Sequence, residues 1–116
     1  MPITPTEKIW MDGELVDWAD ATVHILTHTM HYGSGVFEGI RAYPTDAGPA
    51  VFRLTDHITR LFNSARIFLI DIPYTPEEIV EATKMTVRVN GCPSATSGPS
   101  CTWATERWAS IPCPAR

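Results

Sequence analysis

The alternation of apolar and polar residues that a folded core requires stops at Gly91. Before that point the chain shows strand-like and helix-like periods joined by turn residues. Residues 92–116 contain four prolines, four serines and three cysteines, and Ile111 is the only Ile, Leu, Val or Phe among them. We therefore expect one small α/β domain over residues 1–91, followed by a tail over 92–116 that is disordered.

Composition excludes several classes of partner. A net charge of -4 gives no electrostatic attraction to nucleic acid or to an anionic membrane. The first residues contain no basic and apolar secretory leader, and the apolar runs are too short to span a bilayer. We expect a cytoplasmic protein with no nucleic-acid and no membrane partner.

Turn residues divide the first half of the domain into strands. Asp12-Gly13 is a strong two-residue hairpin signal, and Pro44, Gly48 and Pro49 mark a longer loop. The segments that flank these turns alternate or are rich in β-branched and aromatic residues. The pattern predicts four strands: Lys8–Met11, Glu14–Trp18, Val36–Tyr43 and Ala50–Leu54.

Two amphipathic helices should follow the strands. The first is predicted from Asp56 to Leu69 with Thr55 as its N-cap. Its apolar face should contain Ile58, Leu61, Phe62, Ala65, Phe68 and Leu69. The second opens with Thr75-Pro76-Glu77-Glu78, in which Thr75 and Glu78 can form a capping box, and should end near Asn90-Gly91.

Three histidines precede the third predicted strand. On a helix, His24, His28 and His31 would share one face and could bind a metal ion. Gly33 and Gly35 disfavour such a helix, and no carboxylate follows at ligand spacing. Polar or packed loop histidines are the alternative, and we expect no metal.

The segment from His31 to Tyr43 resembles the N-terminal signature of the branched-chain amino-acid aminotransferases, which are fold-type-IV pyridoxal phosphate enzymes. The resemblance is carried by His31-Tyr32-Gly33-x-x-Val36-Phe37-Glu38-Gly39-Ile40-Arg41-Ala42-Tyr43. The pattern His57-x-x-Arg60-Leu61-x-x-Ser64-Ala65 supports it, and the likeness covers residues 7–91. It implies the small N-terminal α+β domain of the D-amino-acid-aminotransferase-like fold, truncated.

The resemblance assigns roles to four residues. Arg60 matches the arginine that binds the cofactor phosphate, for which a planar guanidinium is suited. Phe37 and Gly39 match positions that line the substrate pocket, and Tyr32 matches a residue that reaches the neighbouring subunit's pocket. The alternatives are a solvated charge for Arg60 and strand core for Phe37. Glu38 and Arg41 are expected to pair or pack structurally.

The activity that the resemblance implies is transamination of leucine, isoleucine or valine with 2-oxoglutarate, by a dimer or higher oligomer that uses pyridoxal 5'-phosphate. Such an enzyme needs a lysine that holds the cofactor as a Schiff base. The only lysines are Lys8 and Lys84, and neither has the family's lysine context. We expect this fragment to be inactive. The alternatives are another class-IV activity, such as D-amino-acid transaminase or aminodeoxychorismate lyase, and a non-catalytic partner-binding domain.

The tail can be explained by a change of reading frame near Gly91. Reading each codon from its third base turns both Trp103-Ala104 and Trp108-Ala109 into glycine. With synonymous codons, the same shift permits Gly-Tyr-Gly-Glu-Met-Gly-Leu-Asn-Pro-Leu-Pro across Trp103 to Pro114. It also permits Leu-Pro-Lys-Arg-Tyr-Ile-Arg-Pro directly after Gly91, and both runs are similar to the sequence with which the family continues. We therefore interpret residues 92–116 as an aberrant, out-of-frame tail.

Overall fold

The computed structural model describes residues 5–91 and the backbone of residues 109–110. Antiparallel strand pairs and helices occupy separate stretches of the chain, as in an α+β fold. The elements of the described residues are β1 Lys8–Met11, β2 Glu14–Asp17, α1 His28–Tyr32, β3 Ala42–Thr45, β4 Gly48–Val51, α2 Leu54–Ile67, α3 Pro76–Val89 and β5 Ala109–Ser110. A 3-10 turn at Trp18–Asp20 follows β2.

The first hairpin is confirmed. β1 and β2 are antiparallel, and Met11 pairs with Glu14 across a two-residue loop. Asp12 and Gly13 have φ values of 52° and 100°. Positive φ at both loop positions is the geometry that matches the twist of paired strands, and Asp-Gly accepts it readily.

The other edge of β1 is paired with β5. Trp10 lies opposite Ser110 and Met11 opposite Ala109, so the sheet order is β2-β1-β5. This strand differs from the expectation of a tail without regular structure. Residues 92–108 and 111–116 lie outside the described residues, so the expectation of disorder is not tested there.

The second hairpin is placed differently from the sequence prediction. β3 begins at Ala42 instead of Val36, and β4 ends at Val51 instead of Leu54. Residues 36–41 keep an alternating burial, but no strand within residues 5–91 pairs with them. Periodicity reports which side chains are buried, whereas a strand also needs a hydrogen-bonded partner.

The two prolines that predicted a loop lie inside this hairpin. Pro44 pairs with Pro49, and the loop is only Asp46-Ala47. Phe52 N donates to Arg41 O at 2.8 Å, so Arg41 and Phe52 form a hydrogen-bonded pair. In an antiparallel hairpin such pairs alternate with pairs that are not hydrogen-bonded. The proline pair is one of the latter, where a missing N–H costs no ladder bond.

The first long helix begins and ends earlier than predicted. α2 starts at Leu54 with Arg53 as N-cap, so Thr55 lies in its first turn and does not cap it. It ends at Ile67, and Leu69 adopts φ 54°. Leu54, Ile58, Leu61 and Ala65 form the buried face, whereas Phe68 and Leu69 are exposed because the chain leaves the helix before them.

The second long helix is confirmed at both ends. Thr75 and Glu78 form the reciprocal capping box, with Glu78 N donating to Thr75 Oγ1 at 3.2 Å and Thr75 N donating to Glu78 Oε2 at 2.7 Å. Pro76 occupies the first turn, and Gly91 has φ 52° directly after the C-cap.

The core lies where α2 and α3 pack against β1 and the extended segment 36–41. Asn90, at the end of α3, accepts from Lys8 N and donates to Lys8 O, both at 2.9 Å, and so fixes α3 to the start of β1. The buried cluster consists of Trp10, Val36, Ile40, Leu54, Ile58, Leu61, Ala65, Ile79 and Ala82. Among the described residues, every helix is too short or too polar to cross a membrane.

Candidate active site

The extended segment that follows α1 separates two sets of side chains. Val36, Glu38 and Ile40 are buried, at 5%, 4% and 1% exposure. Phe37 is 71% exposed, and Gly39 is also exposed. The segment therefore presents the predicted substrate residues on its outer face and a carboxylate on its inner face.

Arg60 forms a two-point ion pair with this buried carboxylate. Its Nε donates to Glu38 Oε1 and its Nη2 to Glu38 Oε2, each at 2.5 Å. His57 Nδ1 lies 2.8 Å from Glu38 Oε2. The side chains of Glu38 and His57 are 4% and 19% exposed, whereas that of Arg60 is 65% exposed.

Helical spacing brings the two basic residues together. His57 and Arg60 are three residues apart on α2 and therefore lie on the same face. Ile58 and Leu61 point into the core beside them, at 1% and 0% exposure. The packed face of α2 thus determines where Arg60 meets the extended segment.

The pKa values of the pair reflect this contact. Burial acts to raise the pKa of Glu38, but hydrogen bonds from Arg60 and His57 and the charges of both outweigh burial, so the pKa lies below its usual 4.5. The hydrogen bond and charge of Glu38 raise the pKa of Arg60. Both side chains are therefore charged at neutral pH.

The carboxylate occupies only one edge of the guanidinium. Within residues 5–91, the hydrogen bonds of Arg60 to Glu38 use Nε and Nη2. The end of the guanidinium formed by Nη1 and Nη2 faces away from that edge, on a side chain that is 65% exposed. This end can donate two parallel hydrogen bonds to an anion such as a phosphate.

Tyr32 lies apart from this ion pair. It ends the five-residue helix α1, after which Gly33 adopts φ 64°. The Tyr32 side chain is 78% exposed, and its ring lies 5.8 Å from that of His28. The described contacts of residues 5–91 do not bring Tyr32 to Arg60.

The three histidines do not converge. His28 and His31 belong to α1, whereas His24 precedes it. His24 Nδ1 accepts from Leu26 N at 3.1 Å, and His31 Nε2 lies 2.8 Å from Ile25 O. The structure, as far as it is described, contains no group of three residues able to hold a metal ion.

Both lysines pair with carboxylates at the surface. Lys8 Nζ lies 2.5 Å from Asp17 Oδ1, and Lys84 Nζ lies 2.7 Å from Glu81 Oε1. Their side chains are 37% and 47% exposed. Neither contacts Glu38 or Arg60 among the contacts that the structure describes.

The sequence prediction of this site missed the partners of Arg60. His57 received no role, and Glu38 was assigned only a structural pair or packing. The available signal was the position of Glu38 in the alternation, where Val36, Glu38 and Ile40 share the apolar phase. A carboxylate at a core-facing position needs a cationic or hydrogen-bonding partner.

Comparison with protein-family models matches residues 35–108 to amino-transferase class IV. This range includes Phe37, Glu38, Gly39, His57 and Arg60. It also extends beyond Gly91, into a part of the tail where we expected no family sequence in this reading frame.

Two relatives of the chain are both named branched-chain-amino-acid aminotransferase. The chain is 56% identical over 98 residues to the branched-chain-amino-acid aminotransferase of Pseudomonas aeruginosa, a match that covers 84% of this chain and 32% of the relative. It is 42% identical over 95 residues to the enzyme of the same name from Escherichia coli K12, covering 82% of this chain and 31% of that relative. The chain thus spans about a third of the length of these two relatives.

Two solved structures that resemble the chain are also branched-chain aminotransferases. The branched-chain aminotransferase of the archaeon Thermoproteus uzoniensis with norvaline is 49% identical with a TM-score of 0.72, over 77% of this chain and 30% of that chain. The branched-chain amino acid aminotransferase of Thermobaculum terrenum in its PLP-form is 27% identical with a TM-score of 0.76, over 97% of this chain and 41% of that chain. The fold of the described residues is therefore that of part of a branched-chain aminotransferase.

Proposed function

This chain belongs to the amino-transferase class IV family, and on that premise we propose that it serves as the cofactor-phosphate and substrate-side domain of a branched-chain-amino-acid aminotransferase. The reaction would transfer an amino group from leucine, isoleucine or valine to 2-oxoglutarate. The proposal is carried by the ion pair in which the buried carboxylate of Glu38 fixes the exposed guanidinium of Arg60.

Arg60 fits the phosphate of pyridoxal 5'-phosphate. A phosphate monoester presents several acceptor oxygens, and the Nη1–Nη2 end of Arg60 offers two N–H groups in one plane. When bound, the cofactor supplies an electron sink for the loss of the substrate Cα proton. The role of Arg60 is to bind and orient the phosphate end, which sets the position of the ring.

Phe37 and Gly39 would act on the substrate side. They lie on the outer face of the extended segment, one residue on either side of the anchored Glu38. An aromatic ring suits contact with a branched aliphatic side chain, and a glycine lets the substrate approach the backbone closely. Tyr32, on the exposed end of α1, would extend towards the pocket of a neighbouring subunit in an oligomer.

Proton transfer at Cα needs a lysine that this sequence does not provide in a suitable place. Lys8 and Lys84 are surface amines paired with Asp17 and Glu81. An amine that acts as a nucleophile or base at neutral pH needs desolvation or a cationic neighbour, which carboxylate pairing opposes. We therefore propose that the 116-residue chain alone does not catalyse transamination.

A chimera tests the proposed function. Residues 7–91 of this chain would replace the matching segment of the Pseudomonas aeruginosa relative, and transfer from leucine to 2-oxoglutarate would be measured. We expect a working enzyme in which Arg60→Ala lowers cofactor affinity about 10-fold to 100-fold, because charge-assisted hydrogen bonds contribute about 1.5–3 kcal/mol.

Arg66→Ala is the matched control, since Arg66 is an exposed arginine on the same helix. It should leave cofactor affinity within about twofold. A folded chimera that does not transaminate, or equal affinities in the two variants, would contradict the proposed function.

A further inference from the structure

We propose that Glu38 is a positioning residue that, together with His57, holds the Arg60 guanidinium in one orientation with its Nη1–Nη2 end turned outward to bind a phosphate monoester. This inference rests on the proposed function, because it concerns the same arginine. Beyond the proposed function, it assigns a positioning role to Glu38 and His57, which contact each other and Arg60.

Glu38 holds Arg60 through two hydrogen bonds. Two hydrogen bonds of 2.5 Å join the carboxylate to Nε and Nη2 of Arg60. Two parallel bonds fix both the position and the plane of a guanidinium, whereas one bond leaves it free to rotate. The Arg53–Asp56 pair on the same helix shows the second situation, with one contact of 2.6 Å between Nε and Oδ2.

The two partners of this ion pair differ in burial. Glu38 is 4% exposed and Arg60 is 65% exposed. A carboxylate at this depth loses water as a partner, so releasing Arg60 would leave it underpaired and is costly. In the Arg53–Asp56 pair the two side chains are 67% and 62% exposed, and water can replace either partner.

His57 is a second basic partner of Glu38. Its Nδ1 lies 2.8 Å from Glu38 Oε2 and 3.3 Å from Arg60 Nη2. An ionised carboxylate can only accept and Arg60 can only donate, so the proton on Nδ1 is directed to Glu38. The imidazole thus gives the second carboxylate oxygen a further donor besides Arg60.

Two physical effects of Glu38 on phosphate binding have opposite signs. Its negative charge weakens the attraction of an anion to Arg60, so its removal should strengthen binding if charge dominates. Its hydrogen bonds fix a side chain that would otherwise lose rotamer freedom on binding, so its removal should weaken binding if orientation dominates. We expect the second effect to be the larger, and the sign of the change in phosphate affinity decides between the two.

The experiment uses the 116-residue chain labelled with nitrogen-15. Pyridoxamine 5'-phosphate is the probe because it has no aldehyde to react with Lys8 or Lys84, and pyridoxamine without phosphate is the ligand control. Binding is measured by titration, and the Nε–Hε signal of Arg60 is followed by nuclear magnetic resonance. Glu38→Gln is the test variant, and Asp56→Asn removes the exposed carboxylate of the single-contact pair.

We expect Glu38→Gln to weaken binding of the phosphate probe about threefold to tenfold, the range that corresponds to ordering one long side chain. The Arg60 Nε–Hε signal should lose its dispersed position in Glu38→Gln and keep it in Asp56→Asn. Pyridoxamine affinity should change in neither variant. Tighter or unchanged binding of the phosphate probe by Glu38→Gln would overturn the inference.

Two further variants make the result unambiguous. If Glu38→Gln does not fold, Glu38→Asp is the deciding variant, because it keeps the charge but is one methylene too short to reach both nitrogens. A phosphate affinity of Glu38→Asp equal to that of the parent chain would reject the positioning role. Arg60→Ala separates the two hypotheses. If Arg60→Ala leaves binding unchanged, phosphate binding by Arg60 is wrong. If it abolishes binding while Glu38→Gln has no effect, only the positioning role is wrong.

Discussion

Glu38 ionises in contact with two basic side chains, so its protonation is linked to folding. Its folded pKa is lowered below 4.5 because the hydrogen bonds and charges of Arg60 and His57 outweigh its burial. A carboxyl group with a depressed folded pKa contributes stability that is present above its unfolded pKa. That contribution is lost as the pH falls through the folded pKa.

The expected result is a pH dependence that one substitution removes. Urea unfolding at about pH 7 and about pH 3 should show a smaller loss of stability on acidification in Glu38→Gln than in the parent chain. Asp17→Asn serves as control, since its carboxylate pairs with Lys8 but is 63% exposed. An equal loss in the parent chain and in Glu38→Gln would show that Glu38 is not coupled to folding.

The sequence could predict Arg60 but not the arrangement that fixes it. Resemblance to a family pattern identified Arg60, Phe37 and Gly39 by position, and these roles stay predictions. The contact between Glu38 and α2 joins residues 22 positions apart in the chain, so it depends on how α2 packs. Single-residue patterns indicate that a buried carboxylate needs a partner, whereas only the tertiary fold shows which one.

At the scale of elements, α2 and α3 end with the same geometry but different residues. In α2, Leu69 N donates to Arg66 O at 3.2 Å and Ile70 N to Ala65 O at 2.9 Å, with Leu69 at φ 54°. In α3 the equivalent residue is Gly91, at φ 52°. A leucine in the left-handed region has a steric cost that glycine does not have.

Leu69→Gly should therefore stabilise the chain, by about 0.5–1 kcal/mol, because the removed strain of roughly 1–2 kcal/mol exceeds the added backbone entropy of the unfolded state. Leu69 is 91% exposed, so little packing is lost. The reverse change, Gly91→Leu, should destabilise by a similar amount. Urea midpoints of the two variants test this, and a lower midpoint for Leu69→Gly would contradict it.

The helix starts give a second comparison between elements. Thr75→Ala removes the acceptor for Glu78 N and should cost about 1 kcal/mol of stability. Thr55→Ala should change stability by less than about 0.5 kcal/mol, because Thr55 lies inside the first turn of α2 and is not its cap. Thermal unfolding of both variants is the measurement, and equal losses of stability would contradict the expected difference between the two helix starts.

Local rules therefore predicted the elements whose ends are set by neighbouring residues. The Asp12-Gly13 hairpin and the capping box of α3 depend on contacts within four residues, and both were confirmed. The start of α2 and the limits of β3 and β4 were wrong. Arg53, between the hairpin and α2, adopts φ 47°, which local backbone preference disfavours. The burial of Leu54 in the core outweighs the steric cost of this conformation.

At the scale of the whole molecule, a small core coexists with much exposed apolar surface. Ile25 and Leu26 are each 66% exposed, Met30 is 59% exposed and Tyr32 is 78% exposed, all between β2 and the extended segment. Single exposed apolar residues are ordinary, but a group this close in sequence is typical of a surface that contacts another domain or chain. This agrees with a chain that spans about a third of the length of its relatives.

We expect the isolated chain to associate with itself through this surface at high concentration. Sedimentation velocity over a range of concentrations should show reversible association that the double variant Ile25→Ser, Leu26→Ser reduces, while its free energy of unfolding stays within about 0.5 kcal/mol of the parent value. Leu61→Ser is the contrasting variant: Leu61 is 0% exposed, so a hydroxyl and a cavity in the core should unfold the chain and increase aggregation. A parent chain that remains monomeric at every concentration would show that this surface does not drive contact between copies. Association that is unchanged in the double variant would place the contact elsewhere, for example at the exposed Ile67 and Phe68.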